Sequence, residues 1–438
     1  MRTAKRKSKD SIIAIVLIAA CVLVGAKLVL PLFSRGDDGG GIFTPEPEPE
    51  PAEPVEISIL CAGDVMAHST QLKAQLQADG TYDFSDNYIY IKPYVEAADV
   101  AICNLETTFA GEPYTGYPAF STPDTLADAL KDTGFDIVST ANNHMMDRRL
   151  SGVLRTRQVL KDKGFATTGS VETQDEPRYA IYETAKGIKV GVVGYTYQNT
   201  TNDARVSING SVLDSESAWH INSFNYAFID SELQKISGVV EEARAAGADI
   251  VAVFYHWGEE YQLSANKWQQ YMAEQTAQNM NVDIIFGSHP HVLQNTTMLT
   301  RDYWVALDED GNVVPDCNPD NTPEGVHWEN QQREIPVFYS LGNLVSNQRA
   351  ETLNNKYTEE GVLAQVKILI RPDTGEILSV TRSAVPTWVD RYSSGGKNHY
   401  CIIPLDENVE NNETLKASGH MSRALDAKET SRGILGFN

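Results

Sequence analysis

The chain has 438 residues, of which 42% are hydrophobic and 22% charged, so it is long and apolar enough to bury a large core. Its formal charge of −23 is unevenly placed: residues 1–36 carry seven Lys or Arg and one Asp, whereas residues 37–438 carry 29 basic and 58 acidic residues. This acidity argues against nucleic acid as a partner, because a phosphate backbone needs a basic surface. Five cysteines exclude a disulfide scaffold.

The N-terminus predicts a membrane anchor. Residues 1–10 are basic, and residues 11–34 contain an apolar run from Ile12 to Phe33 that only Lys27 interrupts. A helix of that length can cross a hydrocarbon core of about 30 Å, and the basic residues before it are expected to stay in the cytoplasm. We therefore expect a single-pass protein of the cell membrane whose main domain is extracytoplasmic.

Two alternatives apply to this segment. The residues Ile18-Ala19-Ala20-Cys21 resemble a lipoprotein processing site, which would leave a lipid on Cys21. The segment would otherwise be a cleaved secretory signal, although its apolar run continues further than such signals do. Both alternatives also place the body of the chain outside the cytoplasm.

Residues 35–55 predict an extended stalk. They are rich in Gly and then alternate Pro with Glu. Such Pro residues keep a chain extended, and like-charged Glu residues repel one another. The stalk would hold the main domain, residues 56–405, away from the membrane. Residues 406–438 have the composition of a polar, weakly patterned C-terminal tail.

The main domain alternates β-branched runs with helical segments, which indicates an α/β layered fold. Near-continuous apolar strands such as Ile250–Phe254 suit sheets that helices bury on both faces. The segments Asp230–Ala246 and Asn266–Met280 show the three- and four-residue apolar spacing of amphipathic helices. Two segments rich in Asn, Asp, Ser and Gly, residues 198–227 and 300–334, are predicted to be surface insertions.

Polar side chains follow six of the predicted strands at their carboxyl ends, where α/β sheets place their binding crevices. They are Asp64, Asn104, Glu106, Asn142, Asn143, His144, Asp147, His256, Glu260, His289, His291 and Asn343. A single strand-end His is more often part of a hydrogen-bonded structure than a ligand, and Asn-Asn-His alone fits a turn. The joint occurrence of these residues predicts a shared metal site.

The ligand types narrow the choice of metal. Carboxylate, amide and imidazole groups suit manganese, iron or zinc in a hydrolytic centre, whereas a structural zinc site would use cysteines. One or two such divalent ions would act as Lewis acids and lower the pKa of water. Cys61 and Cys103 lie in apolar strands near the site and are predicted to be buried free thiols.

The motifs GDVM, NLET, ANNH, YHWGEEY, GSHPH and YSLGN follow one another between Gly63 and Asn343. In this order they resemble the CapA family of bacterial capsule-synthesis proteins, also called poly-γ-glutamate biosynthesis proteins. That family in turn resembles calcineurin-like metallophosphoesterases. The resemblance covers about residues 56–350 and implies a four-layer αββα sandwich with one or two metal ions. It also implies a role in making or exporting poly-γ-glutamate at the cell envelope.

The resemblance to metallophosphoesterases implies two ion positions that share a carboxylate. Asp64 and His291 would bind one ion, and the second would be bound by Asn143, His256 and His289. These strand-end residues come from distant parts of the chain, so the site would form only in the folded protein.

Two positions depart from the metallophosphoesterase pattern. Met66 stands where those enzymes have the His of Asp-x-His, and their Gly-Asp motif is replaced here, which leaves Glu106 as the bridging carboxylate. The resemblance also implies that His144 protonates the leaving group. Four further strand-end residues are predicted to contact substrate: Asn104, Asn142, Glu260 and Asn343.

Three functions are compatible with these features. The first is capsule biosynthesis or export, with poly-γ-glutamate or a carrier at the site and a membrane synthase complex as a partner. The second is an extracellular metal-dependent phosphoesterase that acts on envelope or nucleotide phosphates. The third is a non-catalytic scaffold, although a scaffold does not need so many strand-end ligand residues. The sequence therefore favours a metal-dependent hydrolase.

Overall fold

The computed structural model describes residues 52–199, 205–311, 314 and 317–436. The strands are β1 (Val55–Val65), β2 (Val100–Leu105), β3 (Ile137–Ser139), β4 (Ala166–Thr168), β5 (Ala180–Glu183), β6 (Lys189–Tyr197), β7 (Val206–Ile208), β8 (Ser211–Leu213), β9 (Ser223–Phe224), β10 (Ile250–His256), β11 (Ile284–Ser288), β12 (Thr296–Leu307), β13 (His327–Phe338), β14 (Asn343–Val345), β15 (Glu360–Ile370), β16 (Ile377–Ser394) and β17 (Lys397–Pro404). The α-helices are α1 (Ser69–Gln75), α2 (Lys92–Glu96), α3 (Thr125–Thr133), α4 (Arg149–Asp162), α5 (Ile229–Ala245), α6 (Lys267–Asn279), α7 (Ala350–Leu353), α8 (Glu413–Ser418) and α9 (Met421–Leu435).

Most strands form two large mixed sheets, and β7 and β8 form a separate antiparallel pair. The first has the order β17-β16-β15-β1-β2-β3-β4, with β14 beside β1, and the second has the order β12-β13-β11-β10-β6-β5, with β9 beside β6. The neighbours β1 to β4 are parallel, as are β6, β10, β11 and β13. Antiparallel strands flank each parallel centre. The parallel strands of each sheet therefore end at one edge.

An apolar core joins the two sheets. One cluster of buried side chains combines Ile59 and Ile102 of the first sheet with Val192, Ala252 and Phe286 of the second. Strand β10 is buried along its whole length, which explains why its sequence shows no alternation of apolar and polar residues.

Helices cover the outer face of each sheet. Leu72 of α1 and Leu126 of α3 pack in one cluster with Leu60 of β1, whereas Ile236 of α5 and Met272 of α6 belong to a cluster on the second sheet. The layers are therefore helices, sheet, sheet and helices. This is the mixed α/β arrangement that the sequence predicts.

The segment 300–334 contains two strands that the sequence does not predict, since parts of β12 and β13 lie in it and form a hairpin. Strands β12 and β13 pair in register from Thr296 opposite Phe338 to Leu307 opposite His327. Many side chains of this hairpin are exposed or half-buried. Both faces can then carry polar residues, which hides the strand pattern in the sequence.

The segment 406–438 also differs from the weakly patterned tail expected from the sequence. It contains α8 and α9, and Leu415, Ala424 and Leu435 are buried. The buried face of α9 is built largely from small residues, including Ala427 and Ser431. Small side chains contribute little to an apolar periodicity, so a packed helix is hard to recognise in this part of the sequence.

The predicted anchor, residues 11–34, and most of the predicted stalk lie outside the described residues. Among the helices of the described residues, none has both the length and the apolar character that crossing a membrane requires.

Candidate metal centre

The carboxyl ends of five central strands bring the predicted site residues together. Asp64 of β1 lies opposite Asn104 of β2, which in turn lies opposite Ser139 at the end of β3. In the second sheet, His256 of β10 lies opposite Ser288 of β11. A hydrogen bond from the Ser288 hydroxyl to Asp64 Oδ1 links the two sheets at this edge.

Two carboxylates and one imidazole form the centre of the site. His291 Nδ1 lies 3.2 Å from Asp64 Oδ2, and its Nε2 lies 3.6 Å from Glu106 Oε1. One ligand atom from each of these three buried residues lies within 4.8 Å of the others. His256 Nε2 is 3.9 Å from the same Glu106 oxygen. Glu106 therefore lies between His256 and His291, as a bridging carboxylate would.

Several buried polar atoms of the site lack the partners that buried groups normally have. Among the described residues, neither oxygen of Glu106 has a hydrogen-bond partner, and the same holds for His289 Nδ1. Buried polar atoms are nearly always hydrogen-bonded or bound to an ion, because leaving them unpaired is costly. The oxygen and nitrogen donors match those of hydrolytic manganese, iron and zinc sites. These residues therefore fit a bound divalent cation.

The amide of Asn143 faces the same centre from the first sheet. Its Oδ1 lies 2.9 Å from His256 Nε2, so an amide oxygen and an imidazole nitrogen meet at one point. The ring centroids of His256 and His289 are 4.8 Å apart. The structure thus brings together all six residues for which ligand roles are predicted from the sequence.

The pKa values of Glu106 and Asp64 shift in opposite directions. Burial raises the pKa of Glu106 well above its ordinary value, and the neighbouring charge of Asp64 adds to this effect. Burial also opposes ionisation of Asp64, but its hydrogen bond with His291 and the charges of His291 and His256 lower the pKa overall. A cation beside Glu106 would favour its ionised form, since an opposite charge stabilises a carboxylate.

The pKa values of the three histidines also shift in different directions. Burial lowers the pKa of His256 to about 3 and holds the pKa of His289 well below its usual range. Burial also disfavours charge on His291, but its hydrogen bond to Asp64 and the charge of Asp64 raise the pKa overall. Neutral imidazole is the form that binds metal, so His256 and His289 are already in the binding form at neutral pH.

His144 lies at the site but has its own partner. Its Nδ1 is 2.9 Å from Asp147 Oδ2, and that oxygen also accepts a hydrogen bond of 2.7 Å from the Phe120 backbone N–H. The Phe120 ring packs edge-on against the imidazole at a centroid distance of 4.7 Å. Carboxylate and ring together fix the orientation of His144, as a proton-transfer residue requires.

Three of the four residues predicted to contact substrate lie inside the protein instead. Asn104, Asn142 and Asn343 are fully buried. Asn104 donates to Asp64 Oδ1 at 2.6 Å, Asn142 donates to the Leu105 carbonyl at 2.8 Å, and Asn343 Oδ1 is 3.1 Å from His291 Nδ1. Their polar atoms are used within the protein, and Asn104 and Asn343 hold ligand residues in place. Glu260 is the fourth, and it is exposed.

Two residues of the site have no role in the sequence-based prediction. Ser288 binds Asp64, and only its place in the GSHPH motif could have indicated this contact. His68 packs edge-on against Phe120 at 5.2 Å, and its Nδ1 accepts a hydrogen bond of 3.3 Å from the Asn347 N–H. Burial lowers the pKa of His68 to about 4. Its place four residues after Asp64 is the only feature of the sequence that could have indicated that His68 lies at the site.

Fold and site together define a two-sheet α/β protein with a carboxylate–imidazole centre at the strand ends. The sequence matches the family model described as "Bacterial capsule synthesis protein PGA_cap" over residues 58–348, more than half of the chain. The chain therefore belongs to this family, and the resemblance to CapA proteins that the motifs indicate is confirmed.

Two curated relatives carry the CapA name. The chain is 25% identical over 292 residues to "Capsule biosynthesis protein CapA" of Bacillus anthracis, which covers 65% of this chain and 62% of the relative. It is 25% identical over 250 residues to "PGA biosynthesis protein CapA" of Bacillus subtilis (strain 168), which covers 54% of this chain and 58% of the relative. The matches thus span about three fifths of the relatives' lengths.

Solved structures show a weaker similarity to this chain. A calcineurin-like phosphoesterase, YfkN from Bacillus subtilis, matches 86% of this chain and 99% of its own at 15% identity and a TM-score of 0.39. A phosphatase from Mycoplasma pneumoniae matches 83% and 99% at 10% identity and a TM-score of 0.37. Scores this low support no conclusion about the activity of this chain.

Proposed function

We propose that this protein acts in capsule (poly-γ-glutamate) biosynthesis or export through a metal-dependent, phosphoesterase-like site. The observation that carries the proposal is Glu106, a buried carboxylate between His256 and His291 whose oxygens have no hydrogen-bond partner among the described residues. Membership of the capsule-synthesis family and the names of the two CapA relatives support the biological role. A phosphorylated carrier or envelope component is the proposed substrate, and a membrane synthase complex is the proposed partner.

The ligand residues divide between one or two divalent ions. Asp64 and His291 would hold one, Asn143, His256 and His289 the other, and Glu106 would lie between them. When bound, such ions polarise a phosphoryl oxygen and make water a better nucleophile at neutral pH. Asn104, Ser288 and Asn343 hold the ligands in their orientations through the hydrogen bonds described above.

His144 has the geometry of a proton donor to the leaving group. Its Nδ1 faces Asp147 at 2.9 Å, which leaves Nε2 for the substrate. The carboxylate of Asp147 orients the ring through this contact. This pair is the specific feature that also favours the second candidate, an extracellular phosphoesterase that acts on envelope or nucleotide phosphates.

Location is part of the proposal. The basic residues 1–10, the apolar residues 11–34 and the stalk 35–55 support a single-pass anchor with the main domain outside the cytoplasm. Protease added to intact cells should then release a soluble fragment that begins within residues 36–54. Full protection of the main domain, with an external control protein digested, would contradict this location.

The activity has a direct test. The full-length protein, loaded with Mn²⁺, Fe²⁺ or Zn²⁺, should hydrolyse bis(4-nitrophenyl) phosphate, and EDTA should abolish the reaction. Removal of the gene should lower the amount of polymer at the cell surface, and a variant with Glu106→Gln should not restore it. Restoration of the polymer by that variant would contradict a role for the metal site, whereas polymer loss without any hydrolysis would favour binding or transfer of the polymer.

A further inference from the structure

The loop between β10 and α6 brings a further carboxylate to the site. Glu260 lies on this loop and is exposed, yet one of its oxygens lies within 4.8 Å of ring nitrogens of His289 and His291. His291 is therefore shared by two groups of candidate ligands, this one and the buried group that contains Asp64 and Glu106. A neutral imidazole binds one ion through its one unprotonated nitrogen, so Glu260 is a candidate further ligand of the ion that His291 binds.

The position of Glu260 is fixed by the backbone. The N–H of the next residue, Tyr261, donates a hydrogen bond of 2.7 Å to the carbonyl of Pro290, which lies between the two histidines. Tyr261, His289 and His291 all have positive φ angles, of 65°, 99° and 57°. Non-glycine residues rarely adopt this conformation, and such strain concentrates at functional sites where the surrounding structure maintains it.

The charge of Glu260 is otherwise difficult to explain. The proposed substrates, a phosphoester or polyglutamate, are anionic, and an exposed carboxylate beside Asp64 and Glu106 would repel them. A cation bound by Glu260 reverses this effect, because the ligand then helps to hold a positive charge at the entrance. The position of Met66 adds a second reason: its buried side chain offers no oxygen or nitrogen where metallophosphoesterases have a histidine ligand.

We propose that Glu260 is a further ligand of the ion that His291 binds, on the exposed side of the site. This inference rests on the proposed function, since it requires that the site binds metal. It changes the role predicted from the sequence, in which Glu260 contacts the substrate. Glu260 supplies a carboxylate that compensates for the ligand missing at Met66.

The neighbouring Glu259 provides a matched control, because it is also exposed and carries the same charge. Full-length protein, stripped with EDTA, should be titrated calorimetrically with Mn²⁺ and Zn²⁺ as the unmodified chain, Glu260→Gln and Glu259→Gln. We expect Glu260→Gln to lose one equivalent of metal or to bind it at least tenfold more weakly. Glu259→Gln should behave as the unmodified chain, and both variants should keep its melting temperature in EDTA.

The failures of the two proposals are distinguishable. If the unmodified chain binds metal and Glu260→Gln binds it equally well, Glu260 is not a ligand and the proposed function stands. A ligand role for Glu260 is also overturned if both variants weaken binding equally, since that would reflect net charge alone. If the unmodified chain binds neither ion, the metal-dependent function itself is overturned, and this inference with it.

Discussion

His256 Nε2 lies 2.9 Å from Asn143 Oδ1, so a residue of the second sheet and a residue that follows a strand of the first sheet meet in the site. The candidate centre is thus assembled by the packing of the two sheets and does not belong to either alone. A cation bound there would hold the sheets together at this edge, which links metal binding to stability.

The first prediction follows from this linkage. A metal that binds only the folded state, at a concentration of about 100 times its Kd, should add about 2.7 kcal/mol to the free energy of unfolding. The melting temperature should therefore rise when Mn²⁺ or Zn²⁺ replaces EDTA. The double variant His289→Ala, His291→Ala should lose most of this rise, and an equal rise in that variant would place the metal elsewhere.

The second prediction separates ligand from acid at two adjacent residues. Asn143→Ala should lower metal content, because its amide faces His256. His144→Ala should keep the metal and lower turnover by about 10²- to 10⁴-fold, the usual contribution of a general acid. The loss should be smaller for nitrophenyl than for alkyl phosphodiesters, since nitrophenolate leaves without protonation. Equal losses for both substrates, or loss of metal from His144→Ala, would assign His144 another role.

The third prediction concerns the dependence of stability on pH. Burial raises the pKa of Glu360 to about 8, and its Oε2 accepts a hydrogen bond of 2.9 Å from Ser431 of α9. The folded state then binds more protons than the unfolded state, so this group's contribution to stability falls as pH rises from about 4.5 to about 8. Chemical denaturation should show a flatter pH dependence for Glu360→Gln over that range. Parallel curves would show that Glu360 is ionised in the folded protein.

The fourth prediction concerns a buried ion pair. Arg349 is 1% exposed, and its guanidinium contacts Glu359 at 3.1 Å and the Val389 carbonyl at 3.1 Å. Removal of one partner of a buried pair typically costs about 3–5 kcal/mol, and because Glu359 also pairs with Arg423 at 2.9 Å, Arg349→Met should destabilise the protein by about the lower end of that range. The half-exposed pair of Arg371 with Glu376 is the control, for which Arg371→Met should cost below about 1 kcal/mol. Equal losses of stability in Arg349→Met and Arg371→Met would contradict a larger contribution of the buried pair.

The site could be predicted from the sequence because parallel strands deliver their carboxyl ends to one edge. Asp64, His256 and His289 each end or directly follow an apolar run, and that pattern is visible without coordinates. The roles of Asn104 and Asn343 were not visible, because an amide that holds a ligand and an amide that contacts substrate look alike in sequence. Only their complete burial separates the two roles.

The fold, too, could be predicted from the sequence only in part. The central strands are continuous apolar runs, so their existence could be predicted. The hairpin of β12 and β13 and the helix α9 could not, because partly exposed strands and a face built on Ala424 and Ala427 leave a weak apolar pattern. His68 could not be assigned either, because it lies just beyond the end of β1, where nothing in the sequence shows that its ring packs against Phe120.

The most direct test of the central claim is a crystal structure of the protein soaked with Mn²⁺ or Zn²⁺, with anomalous diffraction recorded at the absorption edge of the ion. We expect an anomalous peak between Glu106, His256 and His291, about 2.0–2.2 Å from the ligand atoms for zinc. The contact between His256 and Asn143 should be replaced by bonds to the ion. A fully soaked crystal without a peak there, with Glu106 still unpaired, would contradict the assignment of a metal centre.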